Sequence, residues 1–403
     1  MSMDAVAGSD TRVLKVSLAR PREHRPGAQA FDRRGARVIL GAPDEGSRFA
    51  EPIVPAAHRL FGPRGASVTT DGALWVADTG HHRLLGWPSV PTQDNQAAQW
   101  LIGQPHFGAE GRNAKAHVHA ASLNVPTGVC ACGPGLAVAD AWNHRVLIWH
   151  TAPRDSHVGA DVVLGQADFA GGHINRGADH PSPSTLYWPY GVDWDGVNLW
   201  VADTGNRRVL RYAGLPQTNG QAAELVLGQP DFAHRDENAG NPGSGSLRWP
   251  HAVAQWQGWL CVADAGNNRL LLWAAAPEKN GAASDLILGQ AQAQAQALDH
   301  NRGEYWPSER SFNMPYGLAV VQGSLFVADT ANSRVLRFDS PLLDNAQALA
   351  GQHGFADKGD NRWLPAERDS LCWPYALAPI GAGGQSMVIV DSGNNRVLLW
   401  DLA

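Results

Sequence analysis

Short apolar runs bounded by Gly, Asn or Pro recur along the whole chain. The most regular run ends in Asp and is followed by a turn, an Arg and a second apolar run that ends in an aromatic residue, as in LWVADTGNRRVLRY from Leu199. The same pattern begins at Leu74, Leu136, Leu260, Leu325 and Met387. Runs of this length, rich in Val, Leu, Ile and aromatic residues, are typical of β-strands. The chain is therefore built from six repeats of one β unit.

Three positions are fixed within every repeat. The Asp residues are separated by 61 to 65 residues, and each is followed five residues later by Arg and nine residues later by Trp, Tyr or Phe. The Asp and Arg pairs are Asp78 with Arg83, Asp140 with Arg145, Asp203 with Arg208, Asp264 with Arg269, Asp329 with Arg334, and Asp391 with Arg396. An Asp and an Arg across a tight turn can form a charge-assisted hydrogen bond. We interpret these pairs as structural, because an active site is not expected in six copies.

Two more signals share the period and complete the unit. A Pro opens one apolar run, as in WPYGV at Trp188, and a Gly-Gln pair closes another, as in LVLGQ at Leu225. Each repeat is thus predicted to hold four strands. Six four-stranded units favour an all-β fold, a six-bladed β-propeller of antiparallel blades.

The first and last parts of the sequence are predicted to share one blade. VILGAPDE from Val38 matches LVLGQPDF from Leu225, and Gly41 lies 62 residues before Gly103, in register with the later repeats. The last repeat stops after its third strand at the end of the sequence. We therefore expect an N-terminal outer strand to complete the last blade. This assigns residues 1–36 to an N-terminal tail and residues 37–403 to the propeller.

The repeat pattern resembles the NHL-repeat proteins. The resemblance rests on VAD followed by TGN, an Arg and an aromatic, on the preceding P-x-G-V and on the following LGQPDF, and it covers about residues 37–403. It is greatest for the bacterial type with long connectors of the GQPDF kind. The resemblance implies a propeller, and propellers of this family include protein-binding platforms, RNA-binding domains and a few enzymes.

The residue after each repeat Pro is the main candidate for a binding site. These residues begin the predicted inner strands, so all six are expected at the mouth of the central channel. They are Arg64, Thr127, Tyr190, His251, Tyr316 and Tyr375. Unlike the Asp and Arg pairs they vary between repeats, and Tyr, His and Arg are common in recognition sites. The long connectors from each Gly-Gln to the next Pro are expected to form the surface around them.

No metal or cofactor is predicted. Cys130-Ala-Cys132 and His117-Val-His119 lack the further ligands, at suitable spacing, that a zinc site requires. In the peptide-amidating lyase, a six-bladed relative, zinc-binding His residues follow the corresponding Pro in several blades. Only His251 matches that pattern here, and one His does not make a catalytic zinc site.

Composition narrows the choice of partners. The chain has 32 Lys and Arg against 38 Asp and Glu, a net charge of −6, which disfavours nucleic acid and anionic membrane as partners. No signal peptide or membrane span is recognised, so a cytoplasmic monomer is expected. The favoured function is a non-catalytic platform for an unidentified protein or small-molecule partner, bound at the connectors and channel mouth. A lyase or hydrolase site at the channel mouth and RNA binding are the alternatives.

Overall fold

The computed structural model describes residues 26–41, 53–290, 298–381 and 383–403. These residues form six sheets of four antiparallel strands, one of which carries a fifth, parallel strand. The first strand of each sheet contacts the first strands of its two neighbours, including the sixth against the first, so the ring is closed. The prediction of an all-β, six-bladed propeller is confirmed, and the described ranges contain no α-helix.

We number the blades in the order of their first strands along the chain, and list their strands from the channel outwards. Blade 1 consists of Gly65–Val68, Leu74–Asp78, Arg83–Trp87 and Trp100–Ile102. Blade 2 consists of Pro126–Cys132, Gly135–Asp140, Arg145–Trp149 and Val162–Leu164. Blade 3 consists of Pro189–Trp194, Asn198–Asp203, Arg208–Ala213 and Leu225–Leu227. Blade 4 consists of Pro250–Trp256, Trp259–Asp264, Arg269–Trp273 and Leu286–Leu288. Blade 5 consists of Pro315–Val321, Ser324–Asp329, Arg334–Phe338 and Ala348–Ala350. Blade 6 consists of Pro374–Ile380, Ser386–Asp391, Arg396–Asp401 and Val38–Leu40.

Short 3₁₀ helices occur at two places in the repeat. One set joins the second strand to the third: Thr79–His81, Ala141–Asn143, Thr204–Asn206, Ala265–Asn267, Thr330–Asn332 and Ser392–Asn394. The other set lies in the connectors: Arg112–Lys115, Ile174–Gly177, Glu237–Gly240, His300–Gly303 and Asp360–Trp363. Because neighbouring strands are antiparallel, both sets lie at the end of the propeller where the first strands begin, which we call the connector face. The opposite end is the hairpin face.

The inner strands approach one another closely because the second residue after each repeat Pro is small. In four blades this residue is Gly, and in the other two it is Ala. A Cβ atom on Gly65 or Gly191 would collide with a carbonyl oxygen of the next blade, that of Thr127 or His251. The P-x-G-V motif is therefore a packing requirement of the ring and not a sign of a ligand loop.

The hydrophobic core lies between adjacent blades. The aromatic residue nine positions after each repeat Asp is buried in every blade, with 3% exposure or less. These side chains pack in clusters that draw on two neighbouring blades, as where Trp149 of blade 2 meets Leu84 of blade 1. Burying an aromatic side chain stabilises the fold by roughly 1.5–3 kcal/mol, so the six residues act as wedges that hold the blades together.

The sixth blade joins distant parts of the chain. Val38–Leu40 is its outer strand and runs antiparallel to Arg396–Asp401, with Ile39 opposite Leu398. All three residues of this short strand are buried. The blade thus takes three strands from the last repeat and one from the N-terminal part of the sequence.

Residues 28–30 cover the outer edge of blade 5. Ala28–Gln29 pairs in parallel with Ala348–Ala350, and the Ala30 amide donates to the Leu349 carbonyl. In blades 6, 1, 2 and 3 this edge is covered by the loop between the third and fourth strands of the next blade. That loop supplies an acceptor for an outer-strand amide, namely Asp94 for Ile39, Ser156 for Leu101, Asn219 for Val163 and Asn280 for Val226. In blade 6 the third and fourth strands are not consecutive in the chain, and residues 28–30 take the loop's position.

Phe31 anchors this segment between blades 5 and 6. Its ring is 1% exposed, lies 5.1 Å from the Trp400 ring and 5.6 Å from the Phe326 ring, and is joined by the buried Ala30 and Ala36. The Trp400 indole also donates to the Asp32 carbonyl. Part of the predicted tail therefore packs against the propeller, while the boundary after residue 36 stays a prediction.

Candidate functional site

Each repeat Asp accepts hydrogen bonds from three parts of the structure. In blade 3, Asp203 Oδ2 accepts from Arg208 Nε at 2.8 Å and Asn206 Nδ2 at 2.7 Å, and Oδ1 accepts from the Tyr187 amide at 2.7 Å. Both charged side chains are fully buried. The other five pairs have the same Nε to Oδ2 contact, at 2.7 or 2.8 Å.

The Arg of each pair extends this network into the connectors. The Arg208 Nη atoms donate to the carbonyls of Phe232, Ser182 and Thr185, which lie in the connectors on either side. The Asp and Arg pairs thus fix the connector backbone and face no cavity. This geometry supports the structural role that we expected for them.

Reciprocal amide pairs add a connector contact that the sequence analysis missed. Asn206 exchanges hydrogen bonds with Asn175 of the connector, and Asn143 does the same with Asn113. The connector Asn has positive φ, 48° at Asn175, which suits Asn better than most residues. A repeated Asn nine residues after most Gly-Gln pairs was the available signal. In blade 1, His81 occupies the turn position equivalent to Asn206, and its ring contacts Asp78 and the Ile53 carbonyl.

Neighbouring blades are also joined at the residue before each Pro. In five of the six junctions its amide donates to the side chain four residues after the repeat Asp of the preceding blade, the acceptors being Asn395, His82, His144, Asn268 and Ser333. Burial lowers the pKa of His82, and lowers that of His144 to about 4. Both rings are therefore neutral near pH 7 and able to accept through Nδ1. At the remaining junction the equivalent residue is Arg207, which cannot accept.

Four of the six predicted channel-mouth residues form one aromatic cluster. The rings of His251 and Tyr316 are stacked with centroids 4.0 Å apart, Tyr190 lies 5.2 Å from His251, and Tyr375 lies 4.6 Å from Tyr316. We call Tyr190, His251, Tyr316 and Tyr375 the aromatic plug. Because these rings come from four blades and pack against one another, they obstruct the connector end of the channel.

The other two predicted residues lie in different surroundings. Arg64 places its guanidinium over the Tyr375 ring, 5.0 Å from the centroid, and so joins the edge of the plug. Thr127 is 1% exposed, and its hydroxyl lies within 3.5 Å of the Ala139 and Pro189 carbonyls. Thr127 does not line the central cavity. The structure therefore brings five of the six predicted residues together and directs Thr127 into the junction between blades.

Three side chains of the plug, His251, Tyr316 and Tyr375, are uncharged near neutral pH. Burial raises the pKa of Tyr316 to about 12 and also raises that of Tyr375. Burial lowers the pKa of His251 to about 4, and its Nδ1 lies 2.9 Å from the Trp249 carbonyl, to which it donates. The neutral imidazole of His251 and the neutral phenols of Tyr316 and Tyr375 can donate and accept hydrogen bonds, but none of these three groups has a pKa near 7.

A set of exposed tryptophans lies on the connector face, two residues before plug residues in the chain, and was missed as a candidate site. Trp188, Trp249 and Trp373 each precede a repeat Pro, and they are 37%, 40% and 41% exposed. Their φ values of 47°, 104° and 52° are unusual for Trp. The signal in the sequence was the Trp-Pro pair, of which only the Pro was interpreted, as the start of a strand. We call these three residues the tryptophan rim.

The remaining candidate chemistry is sparse. Cys132 is buried and Cys130 is half-buried, and all four cysteines are free. Over the described ranges, no three His, Cys, Asp or Glu side chains are grouped so that they could hold a metal ion. The described residues also include no helix of the length and apolarity needed to cross a membrane.

The fold and repeats define the class of protein as a six-bladed β-propeller, and sequence comparison identifies the repeat. The sequence model of the NHL repeat matches residues 62–87 and 312–338. Each matched segment contains the repeat Pro and ends at the buried aromatic residue of the third strand, in blade 1 and in blade 5 respectively. The resemblance to NHL-repeat proteins that the sequence pattern predicted is confirmed, and the repeats form the six-bladed β-propeller described above.

Relatives were found among both sequences and solved structures. The chain is 23% identical over 393 residues to NHL repeat-containing protein 2 of Homo sapiens, and 24% identical over 396 residues to that of Gallus gallus. Each match covers 89% of this chain and 48% of the relative, so the chain spans about half the length of these proteins. A crystal structure of a protein of unknown function from Bacteroides thetaiotaomicron has a TM-score of 0.51 at 14% identity, covering 93% of this chain and 76% of that one. This last likeness shows the fold alone.

Proposed function

We propose that this protein is a non-catalytic binding platform that recognises a protein partner through its connector face. The tryptophan rim carries this proposal. Three large apolar side chains occupy equivalent positions in blades 3, 4 and 6, and each leaves more than a third of its surface in water. Exposed aromatic residues that cluster on one face are characteristic of interaction sites, and Trp is the residue most enriched among binding hot spots.

Further aromatic side chains extend the rim. Trp142, 42% exposed in the turn of blade 2, stacks on Trp188 with centroids 6.3 Å apart. Phe61, 44% exposed, lies two residues before the repeat Pro of blade 1. The connector face therefore presents aromatic groups from blades 1, 2, 3, 4 and 6. A partner that lies across the channel mouth would cover several of them at once.

The backbone holds most of the rim in place before a partner arrives. The Trp188 amide donates to His144 Nδ1 at 3.2 Å, and the Trp373 amide donates to Ser333 Oγ at 3.3 Å. The preceding residues, Tyr187 and Cys372, donate to the repeat Asp of the same blade. Side chains on a fixed backbone lose less conformational freedom on binding, which favours affinity.

The alternatives are supported less well. General acid–base catalysis works best with groups whose pKa lies near the working pH, whereas His251 and Tyr316 are shifted away from 7 in opposite directions. RNA binding requires a cationic surface beside the aromatic groups. Near the rim, Arg248 lies over Trp249 but is paired with Glu237 at 3.0 Å.

The test begins with capture of partners from native lysate on the immobilised full chain, followed by titration of the recovered protein. Trp188→Ala, Trp249→Ala and Trp373→Ala are combined in one variant. Since a hot-spot residue contributes on the order of 2 kcal/mol, we expect the triple variant to bind at least about 100-fold more weakly.

The matched control removes exposed apolar groups from the hairpin face. Val197 and Leu342 are 68% and 75% exposed, in loops at that end of blades 3 and 5. The variant Val197→Ala with Leu342→Ala should bind like the wild type. Unchanged affinity of the tryptophan variant, with weakened binding of the control variant, would place the binding surface on the hairpin face and refute the proposal.

A further inference from the structure

The propeller encloses a central cavity of about 760 Å³. This volume is in the range of pockets that hold small molecules, roughly 300–1,000 Å³. Most of the lining consists of Val, Leu, Ala and Gly from the six inner strands. The aromatic plug obstructs its connector end, but the lining continues to Thr70, Gly72 and Gly381 in the turns of the hairpin face. A ligand would therefore enter from the hairpin face.

Three charged side chains, Arg64, Asp193 and Asp195, line this cavity. Asp193, in the inner strand of blade 3, lines the cavity, and among the residues that the structure describes no Lys, Arg or His forms an ion pair with it. Its carboxyl group accepts a hydrogen bond from the Trp194 amide of its own strand. The nearby Asp195 differs, because its carboxylate accepts from Trp200 Nε1 at 2.7 Å and from the Asn198 amide at 2.6 Å.

The level of the channel at Asp193 has a polar half and an apolar half. The fourth residue after the repeat Pro is Ser67, Cys130 and Asp193 in blades 1 to 3, and Ala254, Ala319 and Ala378 in blades 4 to 6. The Ser67 hydroxyl oxygen accepts from the Ala131 amide at 3.0 Å. Three adjacent blades thus supply a carboxyl, a thiol and a hydroxyl, while the opposite three supply methyl groups. A symmetric scaffold does not require this asymmetry.

We propose that the cavity binds a small amphipathic primary amine, whose ammonium group pairs with Asp193 and whose hydrocarbon part faces the alanine side. An unpaired carboxylate in an apolar cavity is costly to desolvate, and an ammonium ligand provides the missing countercharge. Arg64 lies at the closed end of the cavity. Its position in the repeat comes three residues before that of Asp193, which corresponds to roughly 10 Å along the channel. An ammonium group is thus expected to remain near the hairpin face. This proposal does not depend on the connector face.

Binding should depend on the ionisation of Asp193. Burial, with the nearby Asp195 carboxylate, raises the pKa of Asp193 to about 7. Cys130, which faces it from blade 2, has its pKa raised through contact with Cys132 and by burial, so it stays neutral. The amine binds the carboxylate form, so lowering the pH from 8 to 6 should weaken binding by about tenfold. The probe amines keep their charge over this range, because alkylammonium groups resemble Lys, with a pKa of about 10.

The test is isothermal titration of the full chain with hexylamine and with 2-phenylethylamine, each compared with the alcohol of the same carbon skeleton. We expect saturable binding of the amines, at least tenfold weaker binding of the alcohols, and the stated pH dependence. Asp193→Asn should abolish amine binding, and Asp179→Asn, at an exposed connector carboxyl, should not. A melting curve shows that each variant is folded.

Three results would overturn the proposal. The alcohols could bind as tightly as the amines, which would make the cavity merely apolar. Asp193→Asn could keep full affinity, which would place the amine elsewhere. Sodium or potassium ions could displace the amines at millimolar concentration, which would make the site one for a metal cation. None of these results would affect the test of the tryptophan rim.

Discussion

Replacing Phe31 by Ala tests whether residues 26–36 are part of the cooperative fold. The Phe31 ring is almost fully buried between Phe326 of blade 5 and Trp400 of blade 6. Truncating a buried Phe to Ala typically costs 3–5 kcal/mol, because the transfer free energy is lost and a cavity remains. For a chain of this size, 1 kcal/mol corresponds to about 2 °C, so the melting temperature should fall by roughly 6–10 °C.

Calorimetry measures this shift, and hydrogen exchange locates it. The amides of Ala28–Gln29 and of Ala348–Ala350, which pair in the wild type, should exchange faster in the variant. Phe61→Ala provides the matched control, because that ring is 44% exposed and its loss should cost about 1 kcal/mol or less. A Phe31→Ala variant that melts within 2 °C of the wild type would show that the segment does not support the propeller.

Three further substitutions test other parts of the account. Arg208→Ala leaves the buried Asp203 carboxylate without its cationic partner and should lower the free energy of unfolding by about 3–5 kcal/mol in a urea titration. Arg34→Ala, at an 89% exposed side chain, should leave it almost unchanged. Gly191→Ala should lower the melting temperature, because the added Cβ would collide with the His251 carbonyl; an unchanged melting curve would mean that the inner strands can separate. Asp193→Asn should raise the melting temperature at pH 8 but not at pH 3.5, and the opposite order would contradict the surroundings inferred for this carboxyl.

The sign of the Asp193 effect follows from proton linkage. The pKa of Asp193 is about 7 in the folded protein and near 3.9 when unfolded. Between these values the folded state binds more protons, so this group makes the wild type progressively less stable as the pH rises from 4 to 7. Asn does not titrate, and the advantage of the variant should therefore grow over that window and stay constant above it.

The repeat pattern was sufficient to predict the blades, because each strand position recurs with the same residue type. Six copies of an Asp, an Arg and an aromatic residue at fixed spacing define the second and third strands, and the repeat Pro defines the first. The buried wedges such as Trp149 and Tyr212 follow from the same spacing. A residue type that the fold requires in every blade recurs at a fixed spacing and can therefore be recognised in the sequence.

Features that occur once were not predictable in this way. Phe31 lies in a segment with no counterpart in the other repeats, so its packing against Trp400 had no periodic signal. Asp193 differs from its equivalents in the other blades, but only the closed ring shows that it lines a cavity in which no cation of the described residues pairs with it. Thr127 shares its position with the tyrosines, yet its short side chain reaches the Pro189 carbonyl and not the channel.

One of the tyrosines, Tyr316, differs from the sequence-based picture in its packing. Partly exposed side chains at the channel mouth were expected to be available to a ligand. In the structure Tyr316 is 8% exposed and stacks on His251, so the first strands present rings to one another across the axis. Convergence of six strand ends at one point makes this contact possible, and one strand considered alone does not reveal it.

Hydrogen–deuterium exchange of the complex with the captured partner tests the central claim most directly. If the connector face is the binding surface, the partner should slow exchange in residues 186–190, 247–251 and 371–375, which carry the tryptophan rim, and leave the turns of the hairpin face unchanged. Protection confined to the hairpin turns around Val197 and Leu342, with the rim segments exchanging as in the free protein, would contradict it.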